Sequence, residues 1–280
     1  MSPLEFVLLV LGISVVAGAF GALVGLGGGI IVIPALTLLF HIDIRYAAGA
    51  SIVSVIATSS GAAAAYVRER MTNLRVAMLL EIATTSGALS GAFLAGAIGG
   101  RWLFIVFGLI LVYSAVAMFR KREDAAPDHV PPSWLADRLR LHGRYFDQAV
   151  GREINYRVTH VPLGAALMYV AGVVSGLLGI GSGSLKVPAM DLAMRLPIKV
   201  STATSNFMIG VTAAASAGVY FSRGDIDPFI AAPVAAGVLI GATLGSHLLG
   251  RLKGKAIRAT FVVVLLFISA QMLWKGIRWR

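Results

Sequence analysis

Lys186 carries the most demanding chemistry in this chain, because it stands in the run GSGSLKVPAM inside a long apolar stretch. A cation at membrane depth costs roughly 2.5 to 3.5 kcal/mol on insertion scales, so its presence calls for a ligand or a counter-charge. An ammonium in that setting binds an oxyanion. The residues just before it, Gly181, Ser182, Gly183 and Ser184, and their counterparts Gly27, Gly28 and Gly29 in GLGGGIIVIPAL, open the backbone itself to a ligand. Glycine leaves no Cβ between an amide and an anion, and the first N–H groups of a helix lie at the positive end of its dipole. Ser51, Ser54, Thr204, Ser205 and Asn206 add hydroxyls and an amide that donate hydrogen bonds without a second buried charge. Glu81 and Asp191 are the acidic residues at membrane depth, each either a carrier for a coupling proton or a structural partner for Lys186. The competing readings are structural: glycines that allow close helix packing, and hydroxyls that tie helix to helix.

These residues belong to a duplication. AGAFGALVGLGGGIIVIPAL, residues 17–36, aligns without a gap on AGVVSGLLGIGSGSLKVPAM, residues 171–190, an offset of 154. The match continues with Ser51 on Ser205, Thr58 on Thr212, Tyr66 on Tyr220, Gly87 on Gly241 and Gly91 on Gly245. Lys186 falls on Val32, so a shared pocket is asymmetric. Apolar runs predict helices over 4–24, 30–40, 46–67, 75–97 and 102–119, then over 161–178, 184–194, 200–222, 229–249 and 256–274. The second and seventh are about half the ~20 residues that span a bilayer. The expected fold is an all-α polytopic membrane protein of two homologous repeats, residues 1–119 and 161–280, joined by a cytoplasmic linker over 120–160. Each repeat has a Gly-broken helix followed by a short half-helix. Broken backbone is tolerated at that depth only where it is buried in protein or lines a wet cavity, and paired interruptions in two halves point to the substrate site of a transporter.

Composition agrees with this class. Hydrophobic residues make up 58% of the chain and charged ones 13%, too little charge for a soluble domain of this size. The net charge of +11 resides in the gaps between apolar runs, which fits the positive-inside rule rather than nucleic-acid binding. There is no cysteine, so thiol chemistry is excluded, and the sequence calls for no cofactor and no metal. The apolar run at the N-terminus, longer than a secretory core and lacking a basic region before it, reads as a retained first helix. Five crossings per repeat with the N-terminus outside place 17 Lys and Arg inside and six outside; four crossings with the N-terminus inside give 15 and eight. The count favours inverted repeats, against which stands the basic C-terminal run KGIRWR.

Two nucleotide readings of the glycines fail on context. GLGGG follows an apolar helix where a dinucleotide fingerprint needs a strand, and GSGSLK lacks the Gly-Lys-Ser/Thr ending of a P-loop. A hydrolase built on a Ser-Lys pair, Ser182 or Ser184 with Lys186, is an alternative of another class, and a passive anion channel is a second. His160 and His247 fall at segment ends and receive no role. In the linker, Leu135, Leu139, His142 and Phe146 recur at helical spacing among arginines, as in an amphipathic helix on the membrane surface; a solvated linker is the other reading.

The paired GLGGGIIVIPAL and GIGSGSLKVPAM, followed by KVSTATSNFMIGVTAAASAGVYF, resemble the sulfite exporter TauE/SafE family, also called the toluenesulfonate uptake permease family. The resemblance covers both repeats. It implies movement of a small sulfur-containing anion, such as sulfite, sulfoacetate or another organosulfonate, across the bacterial cytoplasmic (inner) membrane, and it leaves direction and coupling ion open, protons among the candidates. Ser182 departs from the family's triple glycine.

Overall fold

The structure, a computed structural model, describes residues 2–120, 133–179, 181, 183–249, 251–252 and 254–278. Ser182 therefore lies outside the described residues. The first repeat comprises α1 (Pro3–Val24), the short α2 (Gly29–Pro34), α3 (Ile44–Arg68), α4 (Leu74–Ala95) and α5 (Gly100–Arg120). The second repeats this order in α7 (Val161–Leu178), α8 (Gly183–Pro188), α9 (Ile198–Ser222), α10 (Pro228–Leu249) and α11 (Gly254–Ile277). Between them lie α6 (Trp134–Arg138) and the strands β1 (Gly143–Asp147) and β2 (Arg152–Tyr156). Among the described residues, six helices are long and apolar enough to cross a membrane; the chain is an all-α multi-pass membrane protein.

Local sequence sets the breaks. α1 opens on a capping box, Ser2 and Glu5 bonding each other's backbone N–H, and closes at Gly25 with φ +77°. α7 closes in the same way at Gly179, φ +69°. Pro34 and Pro188 each withhold a backbone donor inside a short helix, and the chain continues through the π-helical turns Ala35–Leu39 and Ala189–Ala193. The Phe6 ring meets Phe40 edge-on at 5.2 Å, so α2 and its π turn fold back along α1 toward its start.

Glycines fix how the helices pair. An added Cβ at Gly241 would meet Val15 O, and at Gly245 Ala19 O, so α1 and α10 run parallel at backbone contact. Gly87 and Gly91 meet Tyr169 and Val173 in the same sense, joining α4 to α7. The two central helices cross the other way: Gly210 of α9 meets Ser59 of α3, while Gly49 of α3 meets Asp225 just beyond α9. α5 and α11 are likewise antiparallel, with Gly108 on Leu273 and Gly276 on Ile105.

The described part of the linker, read from sequence as either a surface amphipathic helix or a solvated linker, holds no continuous helix. Ser133 caps α6, which ends after five residues, and Leu139, His142 and Phe146 lie beyond it. The chain instead forms a hairpin in which Gly143 pairs with Tyr156 and Asp147 with Arg152. Period-two burial explains the outcome: Tyr145 and Asp147 are buried while Arg144 and Phe146 are exposed. The spacing that imitates a helix is shared by a turn and a strand.

Candidate functional site

The two breaks meet. Gly183, the first residue of α8, faces the first break so closely that an added Cβ would lie 2.1 Å from Gly25 O and 2.5 Å from Leu26 Cα. Gly27 faces Ile209 and Val55, and Gly181 faces Val55; Val55 and Ile209 are counterparts at the 154-residue offset. On α9 the residues at the junction are Thr202, Ser205, Asn206 and Ile209, one stripe at helical spacing. Ser205 donates to Gly25 O (2.8 Å) and Asn206 Nδ2 to Ala22 O (2.8 Å). Thr204 points elsewhere: its hydroxyl accepts from the Asn73 N–H (3.0 Å), tying the α3–α4 loop to α9.

Two of the amides expected to be open, those of Gly28 and Gly183, are engaged in this conformation. Gly28 N–H donates to Thr58 Oγ1 (3.1 Å) and Gly183 N–H to Gly181 O (2.8 Å). Among the described residues, the buried side-chain oxygens without a hydrogen-bond partner include Oγ of Ser51 and Ser184, Oγ1 of Thr202 and Oδ1 of Asn206, all four residues fully buried. Buried polar atoms are normally satisfied, so these mark where a polar guest would be held. Ser54 instead donates to Ser51 O within α3.

Lys186 is paired. Its ammonium, 0% exposed, donates to Thr212 Oγ1 (2.6 Å) and stands 3.6 Å from Glu81 Oε2 of α4. Thr212 and Thr85 both donate to Glu81 Oε1, at 2.6 and 3.0 Å. Glu81 is thus the carboxylate beside Lys186 in this conformation, with Thr212 and Thr85 bonded to it. The alignment of Thr212 on Thr58 was a signal for the former: Thr58 braces one break, Thr212 the ion pair. Asp191 is buried one turn past Lys186, in the π turn after Pro188. Ser184 Oγ has no hydrogen-bond partner and Lys186 bonds Thr212, so a Ser184-Lys186 nucleophile is not assembled.

Two tyrosines hold the broken helices. Tyr66 donates to Ala22 O (3.0 Å), and Tyr220 donates to its counterpart Gly176 O (2.9 Å) and to Leu177 O (3.2 Å). Ala22 O keeps Asn206 when Tyr66 is lost, whereas α9's Asn206 has Ile52 as its counterpart on α3. Tyr220→Phe should therefore cost about 1 to 2 kcal/mol of stability and Tyr66→Phe less, readable as unequal falls in Tm.

At the ends of α3 and α9 the halves differ. A cavity of about 280 Å³ opens at the start of α3, lined among others by Arg45, Ala48, Tyr220 and Arg223. The Arg223 guanidinium is held by Asp225 (2.8 Å), by Ala92 O (2.6 Å) and over the Tyr220 ring. At the start of α9, Lys199 is buried beneath the linker hairpin and bonds Asp147 Oδ1 at 2.7 Å. Asn73 Nδ2 secures that hairpin through Leu141 O and Tyr156 Oη. Burial pushes the Tyr156 phenol up to about 12 against the opposing pull of Asn73, so it stays neutral. Sequence reasoning missed this contact because nothing local to Asp147 or Lys199 announces it.

The family model described as sulfite exporter TauE/SafE matches residues 10–272. The chain is 28% identical to the probable membrane transporter protein YunE of Bacillus subtilis, over 98% of this chain and 99% of the relative. It is also 28% identical to the probable membrane transporter protein YdhB of the same organism, over 85% and 89%. A probable membrane transporter protein of Xylella fastidiosa is 24% identical over 91% and 93%. No solved structure matches the chain significantly.

Proposed function

The chain belongs to the sulfite exporter TauE/SafE family, and from that premise we propose that this membrane transporter carries a small sulfur-containing anion by alternating access. Sulfite, sulfoacetate or another organosulfonate is the cargo, and the bacterial inner membrane is the setting. The observation that carries the reading is the junction itself. Two broken backbones from homologous halves touch there, beside hydroxyls of Ser51, Ser184 and Thr202 that have no protein partner. An oxyanion accepts from all three, and opening the junction frees the Gly28 and Gly183 amides as further donors. Inverted repeats are supported by the antiparallel pairing of α3 with α9 and of α5 with α11, since a helix lies antiparallel to its own counterpart about a two-fold axis across the bundle. Rocking one half against the other then presents the junction to each side in turn.

Lys186 supplies the charge in this scheme. In this conformation its ammonium stands 3.6 Å from Glu81 Oε2; parting the pair as the junction opens frees that charge for an anion, with protons as the coupling ion. The test is uptake of labelled sulfite and of a small sulfonate into proteoliposomes, with and without an inward proton gradient. Saturable uptake, raised by the gradient and by cargo on the far side, is expected. Uptake that neither saturates nor shows counterflow identifies a passive channel, and no uptake of either anion removes sulfur anions as the cargo.

A further inference from the structure

The offset of 154 that relates the repeats places Arg45 on Lys199, Ala48 on Thr202 and Tyr220 on Tyr66. The cavity at Arg45 thus has a counterpart at Lys199, at the opposite end of the antiparallel α3–α9 pair. The two ends are filled differently. Arg45 is exposed at its cavity; its backbone N–H bonds Asp43 Oδ1 (2.8 Å), while among the described residues its guanidinium has no carboxylate partner, and the other guanidinium there, Arg223, is already held by Asp225. Lys199 is 2% exposed, and a carboxylate sits on it: Asp147, itself buried, delivered by β1 and braced by Tyr145 Oη at 3.2 Å.

We infer that the Arg45 cavity is an anion-binding vestibule, and that Asp147 occupies the matching site at Lys199 as a tethered stand-in for the anion, so that the linker hairpin closes that end. The equivalence is chemical as well as positional: each end offers one basic side chain in the first turn of a central helix, three residues before the stripe that reaches the junction. The carboxylate bonded to Lys199 shows the ligand class that end accepts, and the repeat offset extends it to Arg45. Asn73 bonds the hairpin at Leu141 O and Tyr156 Oη and bonds Thr204 of α9, so lifting the hairpin is coupled to the loop that joins α3 to α4. That the anion is the transported cargo rests on the proposed function; the vestibule and its stopper do not.

The cysteine-free sequence makes the test direct. Ala48→Cys and Thr202→Cys are introduced singly, and the purified full chain in detergent is labelled with the anionic sulfonatoethyl and the cationic trimethylammonioethyl methanethiosulfonates, each rate divided by that of the free thiol. Ala48→Cys is expected to label and to favour the anionic reagent by about 5-fold or more, a preference that Arg45→Gln removes. Thr202→Cys is expected to be protected, and to label at least ~10-fold faster once Asp147→Asn loosens the hairpin. Should Asp147→Asn fail to fold, Asp147→Asn with Lys199→Met removes both buried charges and serves as the second background. Thr202→Cys that stays protected in a folded background overturns the stopper, and Ala48→Cys that is indifferent to reagent charge or to Arg45→Gln overturns the vestibule. Labelling needs no flux, so a protein that labels as expected yet moves no sulfite loses only its proposed cargo.

Discussion

Gly183→Ala is expected to eliminate the assembled protein, seen as loss of the monodisperse peak in detergent chromatography. The added Cβ would stand 2.1 Å from Gly25 O and 2.5 Å from Leu26 Cα. Both obstacles are backbone, so no rotamer change relieves them, and the first break is itself fixed: Gly25 has φ +77° and packs on Thr202 Cα and Val187. Overpacking typically costs 1 to 3 kcal/mol where side chains can adjust; here the cost should exceed ~3 kcal/mol because the two halves must separate. Gly12→Ala is the control. Nothing lies within 4 Å of its added Cβ, and a mid-helix alanine adds roughly 1 kcal/mol of helix propensity. A well-behaved Gly183→Ala protein would mean that the breaks do not touch, and the junction would lose its standing as the site.

The parts of this architecture written in local sequence were legible before the structure. The Gly breaks, the prolines after them and the apolar runs fix where α1 to α5 and α7 to α11 start and stop, because capping, backbone freedom and hydrophobic length act within one segment. Contacts between segments were legible only as alternatives. Lys186 required a partner, and Glu81 and Asp191 both qualified from sequence; the packing of α4 against α7 and α9 brings Glu81 to 3.6 Å from the Lys186 ammonium. Thr204 looked equivalent to Ser205, yet the 100° between neighbouring helical residues turns one toward Asn73 and the other toward Gly25. The hairpin was hidden for another reason. Five-residue strands carry little periodic signal, and the burial of Asp147 depends on Lys199, far along the chain.

Glu81→Ala should be the most destructive change outside the glycines, because among the described residues it leaves the Lys186 ammonium, 0% exposed, with Thr212 as its one polar partner. Removing one member of a buried pair costs about 3 to 5 kcal/mol, most of it the uncompensated charge that remains. The molecule supplies the remedy in its own other half, where the counterparts of Lys186 and Glu81 are Val32 and Ala235. Lys186→Val combined with Glu81→Ala should accordingly regain most of the lost stability, to within ~1 to 2 kcal/mol of the starting protein, measured as Tm in detergent. That recovery separates two explanations of the pair. A purely structural pair leaves the folded double variant transporting, since an apolar contact replaces an ionic one. A pair that binds cargo leaves it folded and without saturable anion uptake, because the breaks and hydroxyls persist while the charge is gone. The asymmetry of the repeats argues for the second outcome: one half already packs this position without charge, so packing alone does not require Lys186.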